Sequence, residues 1–265
     1  MSYSTRLLLG LTLLLPLITV PASAQKSPQS SDYERFITAI STDKIEAVQA
    51  EIDKGSDINA RDKDGGTPLW HAAHKGSPSP IVELLLDHGA QIEARDNTGV
   101  TALMAAVDTN QLAVVKLLLD RGAQVNARSN YGRTPLIIAA ASRYRNQEKE
   151  REIIKLLLGV GVGANVDGRN PKGNIPLALA AEISYPPEIV PLLLDHGAEV
   201  NARDRNGVTP LMFAVHELGF PEIVKLLIEK GAQVDARSNS GSTPLHRVAQ
   251  ASTSGRYIIE SSRFA

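Results

Sequence analysis

The chain has 265 residues with 28 basic and 29 acidic side chains, a formal charge of −1, so no global field draws it to nucleic acid or to an anionic membrane. It contains no cysteine, which excludes disulfides, thiolate zinc sites and thiol catalysis together. The length alone suggests one or two globular domains, but an internal period replaces that expectation with an array of small units.

Residues 1–24 differ from the rest. Arg6 supplies a short positive end, Leu7 to Val20 form an apolar core of 14 residues broken by Pro16, and Ala22-Ser23-Ala24 is a small-x-small site before Gln25. This is the layout of a secretory signal peptide, and its core is shorter than the roughly 20 apolar residues of a membrane-spanning helix. Cleavage after Ala24 leaves a mature chain of formal charge −2 with no cysteine and no Asn-x-Ser/Thr sequon. The expected source is bacterial and the expected location periplasmic, with secretion as the alternative, and no stable membrane insertion follows cleavage. Residues 25–30 read as a short polar linker.

From there to the end, two landmarks recur. The Thr-Pro-Leu element, intact or degraded, starts at Thr67, Thr101, Thr134, Ile175, Thr209 and Thr243, with steps of 34, 33, 41, 34 and 34. A glycine recurs with the same steps at Gly55, Gly89, Gly122, Gly163, Gly197 and Gly231. The units are about 31–64, 65–99, 100–132, 133–173, 174–207, 208–241 and 242–265. Within a unit, Thr209 is placed to cap a helix whose first residue is Pro210, running to about Glu217. Ile223, Val224, Leu226 and Leu227 line one face of a second helix, and Gly231 ends it in a left-handed conformation. Asp204-Arg205-Asn206-Gly207 predicts a tight turn.

The first unit lacks Thr-Pro-Leu. Ser31-Asp32-Tyr33-Glu34 is expected to form a capping box and Asp43 to cap its second helix. The fourth unit carries an insert, Ser142 to Glu152, seven of whose eleven residues are charged, which predicts an exposed extension of its second helix with Glu148 and Arg151 paired. The last unit turns polar at Glu260-Ser261-Ser262, as a shortened cap would.

These residues resemble the ankyrin repeat, D-x-x-G-x-T-P-L-x-x-A-A followed by V-V-K-L-L-L-x-x-G-A-x-V-N-A-R, over Asp32 to about Gln250. The resemblance implies an all-α solenoid of helix pairs joined by short β-hairpin-like turns, about seven pairs in all. It also implies binding of a protein partner through a concave face built from the hairpin tips and the exposed side of each first helix. Carried over by position, the contacts are Lys63, Asp64, Trp70, His74 and Lys75, then Asn97, Thr98, Asp108 and Thr109, then Asn130, Tyr131 and Arg133, then Lys172, Arg205, Asn206, His216 and Glu217. Gly66, Val100, Ser142, Asn174, Glu182 and Val208 fall at the same kind of position. Tyr131 and Arg133 stand out, since exposed aromatics and arginine dominate interface energetics.

Other chemistry is less well supported by the residues. Gly159-Val160-Gly161-Val162-Gly163 follows an apolar run, but that run aligns with second helices and no helix begins after Gly163 to receive a phosphate. His71 and His74 lie three apart without a third ligand in register, so no metal is expected. His88 and His196 sit in a last helical turn, where an imidazole bonds free carbonyls. One arginine recurs per unit at Arg61, Arg95, Arg128, Arg169, Arg203 and Arg237. It reads as part of the hairpin, balanced by Asp62, Asp96 and Asp204, in preference to a cationic ladder for an acidic partner. No carboxylate pair is spaced as an acid and base.

The expectation is therefore a monomeric, non-enzymatic protein-binding scaffold with no cofactor and no affinity for nucleic acid. A structural spacer, or an exported enzyme or toxin, is the alternative. N-terminal sequencing or intact mass of the exported protein is expected to place the first residue at Gln25; a chain that keeps residues 1–24 in the membrane fraction overturns the signal-peptide reading.

Overall fold

A threonine hydroxyl starts most of the inner helices. The side chains of Thr67, Thr101, Thr134 and Thr209 accept hydrogen bonds from the backbone N–H three residues on, at 3.2, 3.4, 3.2 and 3.4 Å. Each satisfies an N–H that the helix leaves without a partner, worth about 1 kcal/mol per cap. The helices that follow are α3 (Pro68–Lys75), α5 (Ala102–Asp108), α7 (Pro135–Ala140) and α11 (Pro210–Ala214). α9 (Pro176–Ile183) follows Ile175, which has no hydroxyl to offer and is buried instead. The computed structural model describes residues 28–77, 79–142, 147–159, 161, 163–183, 188–215 and 221–253. The proposed signal peptide, His216, Glu217 and the polar end at 260–262 lie outside them.

The outer helices are α4 (Ser79–Asp87), α6 (Leu112–Asp120), α8 (Gln147–Leu158), α10 (Ile189–Asp195) and α12 (Pro221–Glu229). A first pair, α1 (Pro28–Ser41) and α2 (Ile45–Asp53), and a last helix, α13 (Pro244–Thr253), complete the described elements. Among the described residues no strand occurs. Inner helices stack in the order α1, α3, α5, α7, α9, α11, α13, and α2, α4, α6, α8 and α10 form a second layer behind them. One continuous core runs from Phe36 to Ala232. The leucine of each Thr-Pro-Leu element lies in it: Leu69, Leu103, Leu136, Leu177 and Leu211 are all buried. Outer helices close in the same manner, with the alanine N–H after the glycine returning to a leucine carbonyl, as in Ala90 to Leu85 at 2.9 Å and Ala232 to Leu227 at 2.8 Å.

The two ends of the stack differ. At one end a groove between α1 and α2 is lined by Arg35, Thr38, Ala47, Ala50, Glu51 and Lys54, with the buried Glu51 paired to Lys54 at 2.6 Å. At the other end Leu245 is 74% exposed, and Val234, Ile228 and Val248 are exposed with it.

The first unit departs from two expectations. α1 already begins at Pro28, inside the segment read as linker, so Ser31 and Glu34 lie within a helix and form no capping box. Asp32 instead accepts the N–H of Asp57 at 3.1 Å, tying α1 to the turn after α2. Asp43 has φ of 55°, and the cap position of α2 is Lys44, which makes no side-chain capping bond. The Asp43 carboxylate pairs with Lys75 at 2.7 Å and so links the first unit to the second.

The insert in the fourth unit lengthens the second helix, as expected: α8 has 12 residues where α4 and α6 have 9. It does not stay wholly in solvent. Glu150 is only 3% exposed, and among the described residues Arg151 pairs with Glu152 at 3.8 Å and not with Glu148. Charge count predicts the exposure of a segment, but a helix turned so that Ile153, Ile154 and Leu157 face the core carries Glu150 inward on the same face, three, four and seven residues before them.

Burial raises the Glu150 carboxyl to about 7, opposed by the Ser142 hydroxyl. A carboxyl raised by folding adds no cost below its unfolded value near 4.5, where both states are protonated. Stability falls as the pH climbs from about 4.5 to about 7, where the unfolded chain has ionised and the buried group still holds its proton, and the loss is complete above about 7. Glu150→Gln is therefore expected to match the parent at pH 4 and to exceed it above pH 7 by on the order of 2 kcal/mol in urea unfolding. Parallel stability profiles across that range sink the assignment.

Candidate functional site

The tips between units are built alike from the turn residues. The first turn residue closes the hairpin through its N–H, as in Asp62 to Gly66 O at 3.0 Å and Asp204 to Val208 O at 3.0 Å. Its side chain then accepts the N–H groups two and four residues on. Asp62 Oδ1 receives Asp64 and Gly66, Asp96 Oδ1 receives Thr98 and Val100, Asn170 Oδ1 receives Lys172 and Asn174, and Asp204 Oδ1 receives Asn206 and Val208. This is the side-chain-mimicked turn that Asp and Asn favour. The tip glycines Gly65, Gly99, Gly132, Gly173 and Gly207 are each required twice over, by a positive φ and by the close approach of the next tip. Gly65 has φ of 81°, and a Cβ there would stand 2.8 Å from the backbone nitrogen of Asn97 in the next tip.

That close approach exists because successive tips are hydrogen-bonded to one another. Asn97 N–H donates to Asp64 O and its side chain to Lys63 O; Asn130 N–H donates to Thr98 O and its side chain to Asn97 O. Asn239 repeats both bonds, to Asn206 O and Arg205 O. Two further ladders run beside this one. Each recurring arginine reaches the carbonyl of the next: Arg61 to Arg95 at 2.6 Å, Arg95 to Arg128 at 2.7 Å, Arg128 to Arg169 at 2.7 Å, Arg169 to Arg203 at 2.6 Å and Arg203 to Arg237 at 2.5 Å. Asn59, Asn126 and Asn201 bridge to Gly89 O, Gly163 O and Gly231 O. Glu93 stands where the second unit would need such an amide and can only accept, from Gln124 N–H, leaving one of its oxygens buried without a partner. The arginines belong to the hairpins, as expected, but they are held by backbone carbonyls and not by Asp62, Asp96 or Asp204, whose carboxylates serve their own turns. Of these arginines, only Arg169 forms an ion pair among the described residues, with Glu199 at 4.0 Å.

The expected contact residues divide on this geometry. Lys63, Asp64, Thr98, Tyr131, Arg133, Lys172, Arg205 and Asn206 are exposed along the tips, and His74 and Asp108 are exposed near the ends of α3 and α5. Asn97 and Asn130 are exposed too, but their amides are rungs of the ladder. Thr109 is half-buried with its hydroxyl on Ala105 O, and Lys75 holds Ile40 O and Ser41 O as well as Asp43. Gly66 and Val208 are buried and offer nothing to a partner, whereas Arg133, which also follows its tip glycine, is exposed.

Trp70 is half-buried between the first units. It stacks on His74 with centroids 5.0 Å apart and planes 7° apart, and meets His71 edge-on. His71 Nε2 lies 2.7 Å from the Tyr33 hydroxyl and 3.0 Å from Asp62 Oδ2, which also accepts from Tyr33 at 3.0 Å. Burial works against ionised Asp62, yet the bonds from His71, Gly66, Tyr33 and Asp64 keep its pKa below the usual carboxylate range. Burial, and then Asp62, push the Tyr33 phenol up. The cluster joins the first unit to the second. Sequence spacing did not place Tyr33 beside His71, because the two come from different units. His88 and His196 bond Leu84 O and Leu192 O at 2.9 and 2.8 Å, as their position predicts.

One tip contact is missing. The residue that should donate from the fourth tip to the third is Pro171, which has neither N–H nor amide side chain, so the carbonyls of Asn130 and Tyr131 receive no bond from the following tip. The proline ring fills the space beside Gly132. Tyr131, 65% exposed, stands at this gap.

Family models of ankyrin repeats match the chain: one of three copies over residues 36–129, 144–238 and 177–262, and one of many copies over 103–158. Among solved structures, the crystal structure of the ankyrin repeat domain of Bcl-3, described as a unique member of the IkappaB protein family, is 28% identical with a TM-score of 0.67. That match covers 84% of this chain and 93% of the other. No curated protein matches. Among the described residues no helix is long and apolar enough to cross a membrane.

If the ladder amides are structural, Asn130→Ala is expected to lower stability by about 1 kcal/mol in urea unfolding. Thermal or chemical unfolding indistinguishable from the parent would return Asn130 to the list of free contact residues.

Proposed function

Because this chain belongs to the ankyrin-repeat family, a family of protein-binding scaffolds, we propose that it is an exported, non-enzymatic scaffold that holds a protein partner against the row of hairpin tips and the adjoining ends of the inner helices, the concave side of the array. The observation that carries this reading is a division of labour along the tips. The polar groups that hold the units together are drawn from the turn side chains, the recurring arginines and the asparagine amides. Lys63, Thr98, Tyr131, Arg133, Lys172 and Arg205 are left exposed on a scaffold already complete without them. Side chains held out on rigid turns bind with little ordering cost.

The address rests on residues 1–24 alone, and the proposed compartment is the periplasm, with release from the cell as the other destination of the same signal. A protein that works there gains from having no thiol.

An affinity capture with the mature chain from a periplasmic extract, followed by the same capture with the double variant Tyr131→Ala, Arg133→Ala, tests the proposal. The variant is expected to weaken partner binding by up to a few kcal/mol with an unchanged melting temperature, because both side chains are exposed. Equal capture by parent and variant removes these tips from the interface, and unfolding of the variant makes them structural.

A further inference from the structure

The tips are not uniform in charge. In the first two, residues 57–66 and 91–100, three basic side chains face five acidic ones. In the next three, residues 126–133, 165–174 and 199–208, six basic side chains face three acidic ones. Of those three, Asp204 is spent on the N–H groups of its own turn, and Asp167 accepts the N–H of Glu199. The exposed cations Arg133, Lys172 and Arg205 form no ion pair with any described residue. They lie on consecutive tips: the Pro171 ring packs beside Gly132, and Arg205 N–H bonds Lys172 O. Beside them stand the exposed Tyr131 ring and the two carbonyls left open by Pro171.

We propose that these three tips receive an extended acidic segment of the protein partner, its carboxylates on Arg133, Lys172 and Arg205 and an apolar side chain on Tyr131. The proposal rests on the protein-binding reading above and names the chemistry of its partner. Three cations on consecutive rigid turns raise the local concentration of an acidic chain and leave no internal counter-charge to displace. The alternation matters as much as the sign. A nucleic acid duplex lying along the whole row would run onto the acidic first two tips, whereas a short peptide is confined to the basic three. The acidic stretch at the first tips also sets direction, since a partner acidic at one end and neutral or basic at the other docks in one orientation only.

The test uses the mature full-length chain and a fluorescein-labelled ten-residue peptide of Glu alternating with Ser and Leu, with its Lys counterpart and a short DNA duplex as competing probes. Anisotropy is expected to show binding of the acidic peptide that weakens as salt rises. Binding should fall about tenfold or more in the triple variant Arg133→Glu, Lys172→Glu, Arg205→Glu, and stay unchanged in Lys116→Glu, an exposed position on the outer helix α6. Melting curves of the variants are expected to superimpose on the parent. The proposal is overturned if the acidic peptide does not bind, if the triple variant binds it as well as the parent, or if the duplex or the Lys peptide binds the parent more tightly. A chain that still captures a protein through Tyr131 but ignores the acidic peptide keeps the scaffold reading and loses this one. A chain that captures no protein loses both.

Discussion

No unit of this chain can bury its own apolar face. Leu69, Leu103, Leu136, Leu177 and Leu211 are all sealed by neighbouring units, while the equivalent Leu245, with none of the described residues packed beyond it, is 74% exposed. Folding is therefore a property of contacts between units, and stability accumulates along the array as nearest-neighbour terms. The hydrogen-bond ladders act in the same direction. Each rung joins unit n to unit n+1, so a unit that frays loses its arginine rung, its amide rung and its leucine contact together.

That coupling leaves the tips rigid and their outward side chains unoccupied. In a globular enzyme the polar residues of a turn are divided between holding the turn and serving a site. Here the first turn residue satisfies its own loop, the tip glycine permits close approach, and the amide of the next turn crosses the gap. What remains, at positions such as Lys63, Tyr131 and Lys172, has no structural task. This is a physical basis for a protein-binding surface whose composition varies while its frame does not.

The seam between the third and fourth units is the exception. Pro171 removes two rungs, α8 is a turn longer than the outer helices before it, and Glu150 is buried on that turn. The arginine and asparagine rungs from Arg128 and Asn126 persist across the seam, so the stack is continuous there but is held by fewer bonds. Tyr131 stands beside that gap, with the uncompensated cations around it.

Much of the fold was legible in the sequence, because a period repeated across 176 residues averages out local ambiguity. The threonine caps, the left-handed glycines, the last-turn histidines and the lengthened α8 depend on chemistry within one helix or one turn, and spacing alone places them. The candidate site was legible as a set of positions, but the roles of several residues were not. Asn97, Asn130 and Lys75 look like free polar side chains until the neighbouring unit brings a carbonyl or a carboxylate to meet them. The arginines look balanced by the adjacent aspartates until those aspartates prove to be holding their own turns. Ser31 and Asp43 read as caps, yet α1 starts earlier and Asp43 turns to Lys75; Glu150 reads as solvated, yet the helix face that seats Ile153 and Ile154 carries it inward. The sequence by itself determined what is local and periodic: the helix pairs, their starts and stops, and the order of stacking. Only the tertiary structure decided which polar groups are spent between units and which are free, because that depends on atoms some 34 residues apart meeting within hydrogen-bond distance.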